Sequence, residues 1–367
     1  MIEIAAKGLN ITWPDGLTFT FHSIWLRERS FEASNKDPAT GHRLQEVAFL
    51  PLSLTVEGTE LLPGEQVGLR FSDGHSCAFA LDDLRGCIER PLPDDLVGTK
   101  QLWDANLDPL PWHDYRALSG EAALLTLLND LAHLGLVLVR GLPRQHDALR
   151  PLTDLIGPIR QTNWGGIADV RSIANGYDLS MTDRALEPHV DNPYRLPGPG
   201  YIFLHCLENS AEGGESLAVD GFNAATRLQV TAPDAFRVLS TTPVTFRYAD
   251  PDAVLEHFGP LIELRPDGQL HRIRFHNRSD QVAVADSDSL SRFYAARRRF
   301  AELIWSDKMT LRFKLQPGEA YIVDNYRLLH GRTAIDLASG DRYLRQCYMD
   351  RDILSSRQKV LRRRSAR

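Results

Sequence analysis

The chain has 367 residues, 43% hydrophobic and 25% charged, so it is long enough for about two domains and too apolar to be disordered. Its 42 basic and 48 acidic side chains leave a net charge of −6, which excludes the global basic excess that nucleic-acid binding demands. No run of 18 apolar residues exists, and charge and Pro14 interrupt the N-terminus before a secretory core could form, so a cytoplasmic protein with no membrane span is expected. Cys77, Cys87, Cys206 and Cys347 are scattered without CxxC spacing and read as reduced thiols.

In chain order, Leu9–Trp13, Leu17–Phe21, Leu52–Val56 and Gln66–Phe71 alternate polar and apolar residues between Pro-Asp-Gly, Pro-Gly-Glu and Ser-Asp-Gly turns, which predicts a small β-rich N-terminal domain. The stretch from Leu92 to Asp108 lacks periodicity, and the expected domains are residues 1–95 and 96–367. A helix is predicted at Gly120–Leu134, then a buried strand at Leu136–Val139. Short strands follow at Tyr201–Leu207, Ser216–Asp220, Val244–Tyr248, Leu261–Leu264, Arg272–Phe275, Thr310–Leu315 and Ala320–Val323, with one clear helix among them, Ser289–Ser306. Many short strands with few helices predict a mainly β fold with flanking helices (α+β), a sandwich or jelly roll. The basic C-terminal stretch, Arg357 to Arg367, reads as a solvated helix end or tail.

Of the twelve histidines, one is followed two residues later by a carboxylate: His189-Val190-Asp191. On an extended segment both side chains point to the same side, so imidazole and carboxylate can converge on one ion. A strand at Ala320–Asp324 runs toward His330 beside Gly331, and Arg342 lies twelve residues beyond. Two histidines and one carboxylate on one face of an octahedral ion make a non-haem Fe(II) oxygenase site with open positions. A keto acid can fill two of those, and a guanidinium can hold its far carboxylate bidentately.

Pro188-His-Val-Asp-Asn-Pro-Tyr-Arg195, Leu204-His-Cys-Leu-Glu-Asn-Ser-Ala-Glu-Gly-Gly-Glu-Ser216, Val219-Asp-Gly-Phe222, Asp324-Asn-Tyr-Arg-Leu-Leu-His-Gly-Arg332 and Arg342-Tyr-Leu-Arg-Gln-Cys-Tyr-Met-Asp350 together resemble the γ-butyrobetaine hydroxylase branch of the taurine dioxygenase (TauD/TfdA) superfamily. Ile11-Thr-Trp-Pro-Asp-Gly16 and Ile24-Trp-Leu-Arg-Glu28 resemble that branch's small N-terminal domain. The resemblance implies a double-stranded β-helix (jelly-roll) catalytic domain, Fe(II), 2-oxoglutarate and O2, a small-molecule substrate and a homodimer. It carries over His189, Asp191 and His330 as catalytic iron ligands, Arg342 as the 2-oxoglutarate anchor with Arg345 as a competitor, and Ser216 as a hydroxyl partner. Arg332 either reaches the same pocket or makes a structural ion pair.

The departures bear on substrate. Trp25 to Ser34 lacks the cysteines that hold zinc in relatives and His75 stands alone, so no zinc is expected in the N-terminal domain. Trp164 and Tyr348 remain as walls of the aromatic enclosure that relatives build around a trimethylammonium group, with Tyr194 close to the ligand pair. Met181 stands where relatives have a tyrosine, and Asp178 and His276 where they have asparagines. The expected reaction is hydroxylation of an unactivated C–H on a small cationic or zwitterionic, betaine- or amino-acid-like substrate, with succinate and CO2 as co-products. The alternative is a tailoring oxygenase that hydroxylates or desaturates an amino acid, including a carrier-protein-tethered one. A catalytically silent binding protein is the remaining reading. Loop 159–185 is the expected lid.

Overall fold

The computed structural model describes residues 1–30, 37–44, 46–89, 98–171 and 179–365. The chain divides into two compact units, Met1–Pro93 and Asp94–Arg367. The junction expected at 95/96 lies outside the described residues.

The first unit holds β1 (Ile2–Ala5), β2 (Gly8–Thr12), β3 (Thr18–His22), α1 (Ser23–Glu28), β4 (Val56–Leu62), β5 (Gln66–Phe71), β6 (Ser76–Ala80) and α2 (Leu81–Glu89). Two three-stranded antiparallel meanders, β1-β2-β3 and β4-β5-β6, bury Leu9, Ile11, Phe21, Val67, Leu69 and Phe71 in one core. The strand expected at Leu52–Val56 is corrected: only Val56 belongs to a strand, and Leu54 N–H donates to Pro51 O at 2.9 Å, closing a turn before it. A proline at 51 and no partner strand there outweigh the local alternation. His75 Nε2 shares a 2.8 Å hydrogen bond with Ser30 Oγ, and residues 31–34 of the segment Trp25 to Ser34 lie outside the described residues.

The second unit begins β7 (Trp112–Asp114), α3 (Glu121–Leu134), β8 (Leu136–Arg140), α4 (Leu149–Asp154), β9 (Ile167–Arg171), β10 (Leu186–His189), β11 (Tyr201–Asn209), β12 (Glu212–Gly213) and β13 (Ser216–Asp220). It continues α5 (Gly221–Thr231), α6 (Pro233–Thr241), β14 (Val244–Ala249), β15 (Val254–Gly259), β16 (Ile262–Leu264), β17 (Leu270–Ile273), β18 (Asp280–Val282) and α7 (Ser287–Ile304). It ends β19 (Leu311–Phe313), β20 (Ala320–Asp324), β21 (Leu328–Arg332), β22 (Ile335–Asp336), β23 (Arg342–Met349) and α8 (Arg351–Ser365).

A six-stranded sheet, β7-β8-β20-β11-β23-β9, faces a four-stranded sheet, β10-β21-β13-β19. Ile202, Leu204 and Leu344 from the first pack with Ala218, Leu311 and Leu328 from the second, which makes the pair a jelly-roll sandwich. The outer face of the larger sheet is covered by α3, α4 and α8, and Val219 and Leu329 on the outer face of the smaller sheet join α5, α6 and α7. The expectation of a single helix between Tyr201 and Val323 is therefore corrected. Asp220 caps α5 by accepting from Phe222 N at 3.0 Å and Asn223 N at 3.3 Å, and Pro233 opens α6, start signals that outrank the weak periodicity.

Asp220 also meets Arg327 in a fully buried bidentate pair, 2.7 Å and 3.1 Å. Arg327 further donates to the carbonyls of His133, at 2.9 Å, and Gln101, while Asp220 accepts from Trp103 N at 3.2 Å. The first stretch of the second unit is thus tied to the turn between β20 and β21. Opposite charges this deep persist when the guanidinium's other nitrogens are also engaged, here by the carbonyls of His133 and Gln101.

Candidate active site

His189 and His330 are cross-strand partners on β10 and β21, so register alone brings residues 141 positions apart side by side. His330 sits within β21, on the same inner face as Leu328. Asn192 takes a left-handed backbone, φ 49°, and turns the chain just after Asp191. Asp191 Oδ1 then lies 3.5 Å from His189 Nε2 and 3.6 Å from His330 Nε2. Among the described residues, this trio is the one group of three metal-capable side chains whose ligand atoms all lie within 4.8 Å of one another.

The protonation states suit a divalent ion. His189 Nδ1 donates to Glu187 O at 2.8 Å, which leaves Nε2 as a lone pair facing the centre. Burial pulls His330 down to about 4, so its ring is neutral at pH 7. Burial alone would raise the Asp191 carboxyl, but the facing His330 and His189 rings and the Tyr348 hydroxyl outweigh it and hold it below the usual carboxylate range. One anionic oxygen and two imidazole nitrogens on one side of a cavity fit Fe(II) with positions left open.

That cavity, about 260 Å³, is lined by the trio and also by Arg342. Arg342, Gln346 and Tyr348 alternate along β23 on the inner face. Arg342 is buried, its Nε donates to Gly214 O at 3.1 Å, and burial lowers its basicity. Gly214 has φ 62°, and a Cβ there would lie 2.8 Å from Arg342 Cδ, so only glycine leaves room for the guanidinium. Arg345 is corrected as an anchor: three positions from Arg342 means the opposite face of a strand. There it pairs with Asp169 at the cavity's margin and contacts His146 Nε2 at 2.6 Å, and Arg345 itself does not line the cavity. Ser216 is buried but does not line the cavity; it hydrogen-bonds Tyr321, which does. Arg332 reaches the lining and donates to main-chain carbonyls of Thr182 and Arg184, which ties it to the 179–184 segment.

On the other side Trp164, Met181, Tyr194, His276 and Tyr348 all line the cavity, and Asp178 lies outside the described residues. Sequence reasoning missed Tyr248. Its ring stacks on Tyr194 at 5.3 Å and meets Trp164 edge-on at 5.1 Å, so a continuous aromatic wall exists despite Met181. The guanidinium of Arg195 lies 5.0 Å from the Trp164 ring centre, so a protein cation already occupies a face of that ring. His276 packs edge-on to His189 at 5.4 Å. Its Nδ1–H donates to Ser279 Oγ at 2.8 Å, and its Nε2 accepts from Arg278 Nη2 at 3.3 Å. Burial keeps this ring neutral. Arg278 lines the cavity without a carboxylate partner among the described residues, and no sequence signal marked it. The acidic side chains on the described lining, Asp169 and Asp191, are both engaged.

A model of the Taurine catabolism dioxygenase TauD, TfdA family matches residues 90–348, and one of the Gamma-butyrobetaine hydroxylase-like N-terminal region matches residues 2–85. The chain is 34% identical over 366 residues to the gamma-butyrobetaine dioxygenase of Pseudomonas sp. (strain AK-1), covering 98% of this chain and 94% of that one. It is 28% identical over 377 residues to the mitochondrial trimethyllysine dioxygenase of Rattus norvegicus, covering 97% and 89%. A solved asparagine oxygenase, in complex with Fe(II), 2S,3S-3-hydroxyasparagine and succinate, superposes with a TM-score of 0.51 at 19% identity over 63% of this chain and 80% of that one, a likeness of fold. With the iron-competent trio and a buried arginine in one jelly-roll cavity, the chain belongs to the TauD, TfdA family and is an Fe(II)- and 2-oxoglutarate-dependent dioxygenase.

Proposed function

We propose that the enzyme hydroxylates an unactivated C–H of a small zwitterionic, amino-acid- or betaine-like substrate. His189, Asp191 and His330 hold the iron, and Arg342 holds the distal carboxylate of 2-oxoglutarate. Fe(II) and 2-oxoglutarate, when bound, supply the oxidising chemistry, consuming O2 and releasing succinate and CO2. The chain contributes the rest: Arg342 orients the co-substrate, and the two sheets exclude water. Arg278, set by His276, faces the acid end of the substrate, and the Trp164–Tyr248–Tyr194 wall faces its cationic end.

The observation that carries the substrate reading is Arg278, a cation on the cavity wall with no carboxylate partner among the described residues. Desolvating it without a partner is costly, and a substrate carboxylate supplies one. A carrier-bound substrate has that carboxylate esterified, so the free acid is favoured over the tethered form. A panel of free amino acids, betaines and their esters, read by succinate release, tests this. Turnover of free acids with loss on esterification is expected; turnover of esters alone overturns it. The proposal includes residues 96–367 as the catalytic domain, residues 1–95 as the small N-terminal domain, and a cytoplasmic homodimer. Family likeness supports the dimer, and light scattering on the purified chain tests it.

A further inference from the structure

Asp191 is held at both of its ends by side chains other than the two histidines. Its main chain is pinned by Asn325, which is fully buried: Asp191 N–H donates to Asn325 Oδ1 at 2.8 Å, and Asn325 Nδ2 donates to Asp191 O and Pro199 O, each at 3.0 Å. Its carboxylate is divided. Oδ1 faces His189 Nε2 and His330 Nε2, while Oδ2 accepts from the Tyr348 hydroxyl at 2.7 Å and from Gln346 Nε2 at 2.7 Å. Gln346 Nε2 also lies 2.8 Å from the Tyr348 oxygen, so the three groups close a triangle.

The geometry has a plain origin. Gln346 and Tyr348 are two positions apart on β23 and share its inner face, and β23 belongs to the six-stranded sheet. Asp191 follows β10 of the four-stranded sheet, so the contact spans the sandwich from one sheet to the other. A carboxylate offers a metal two oxygens, and taking both uses a coordination position. Two hydrogen bonds commit the lone pairs of Oδ2 elsewhere and fix the rotation of the group, leaving Oδ1 as the donor.

We propose that Gln346 and Tyr348 are positioning residues that make Asp191 a one-oxygen ligand, thereby keeping a coordination position open for the co-substrates and strengthening iron binding. Tyr348 thus serves the iron through its hydroxyl, while its ring stays on the cavity lining. This inference rests on the iron role of the His189, Asp191 and His330 trio.

Anaerobic Fe(II) titration of the full chain, followed by addition of 2-oxoglutarate and reading of the visible charge-transfer band, tests it. Tyr348→Phe keeps the ring and removes the hydroxyl; Gln346→Leu removes the amide donor. Each is expected to weaken Fe(II) binding roughly 10-fold and the double variant roughly 100-fold. The band is expected to shift, while the melting temperature of the metal-free protein stays within about 2 °C of the parent. Should Tyr348→Phe misfold, Gln346→Leu carries the test alone. Fe(II) affinities within about twofold of the parent in both single variants overturn the inference. So does a Tyr348→Phe variant that changes only the substrate KM, since that assigns the hydroxyl to substrate. If the parent itself takes up no Fe(II), the iron reading of the trio fails and the inference falls with it; parent uptake matched by both variants overturns the inference alone.

Discussion

At the metal end of the cavity, every functional side chain is borne by a strand or lies within two residues of one: His189 on β10, His330 on β21, Arg342, Gln346 and Tyr348 on β23, and Asp191 just past β10. At the substrate end most come from segments between strands: Trp164 before β9, Met181 and Tyr194 on either side of β10, and His276, Arg278 and Ser279 between β17 and β18. Strand register and facing are set by many shared hydrogen bonds, so the metal end is rigid and insensitive to any one neighbour. Loop-borne groups depend on few contacts and can be exchanged without disturbing the sheets. One fold can thus keep a single oxidative chemistry while its substrate wall changes.

The largest test of this division is His330→Ala, which is expected to reduce succinate release to background and to abolish the charge-transfer band. Substantial turnover in that variant breaks the comparison outright. Next, Arg342→Met is expected to raise the 2-oxoglutarate KM about 30-fold or more, the cost of losing one member of a buried charge pair. Arg345→Met, on the other face of the same strand, is expected to leave that KM within about threefold. Equal effects of the two would mean that facing does not decide the anchor.

Arg278→Met is expected to raise the substrate KM roughly 10- to 100-fold, as for loss of a hydrogen bond to a charged group, with Fe(II) and 2-oxoglutarate affinities unchanged. An accompanying loss of metal affinity would erase the boundary between the two ends. The smallest effect concerns a histidine outside both. His205, on β11, is fully buried with neither ring nitrogen hydrogen-bonded among the described residues, and burial pulls it to about 4 from an ordinary 6.5. The unfolded chain therefore binds its proton first as pH falls, so stability is intact above about pH 6.5 and declines toward pH 4 by at most roughly 3 kcal/mol. Urea midpoints at pH 7.5 and 5 should differ less in His205→Leu than in the parent.

Much of the frame was legible in the chain. Gln66–Phe71 and Ser216–Asp220 are strands with the expected bounds, and Glu121–Leu134 follows its apolar stripe, because period-two and period-3.6 burial write themselves into sequence. The helices Gly221–Thr231 and Pro233–Thr241 escaped notice, although Asp220 and Pro233 were visible start signals. Asn325 stood inside a recognised motif, yet its bonds to Asp191 join positions 134 residues apart. Tyr248 looked like one more apolar residue of an alternating strand.

Residue identity and spacing were enough to nominate the donors, the strands that carry them and the family, because those depend on local periodicity and short ordered motifs. Strand facing could have been read as well, since an odd interval separates Arg342 from Arg345. Which face meets a cavity, which oxygen of Asp191 is turned to the histidines, and which cations are left without a carboxylate emerge only when the two sheets close on each other. Those properties belong to pairs of distant side chains, and no single stretch of chain encodes them.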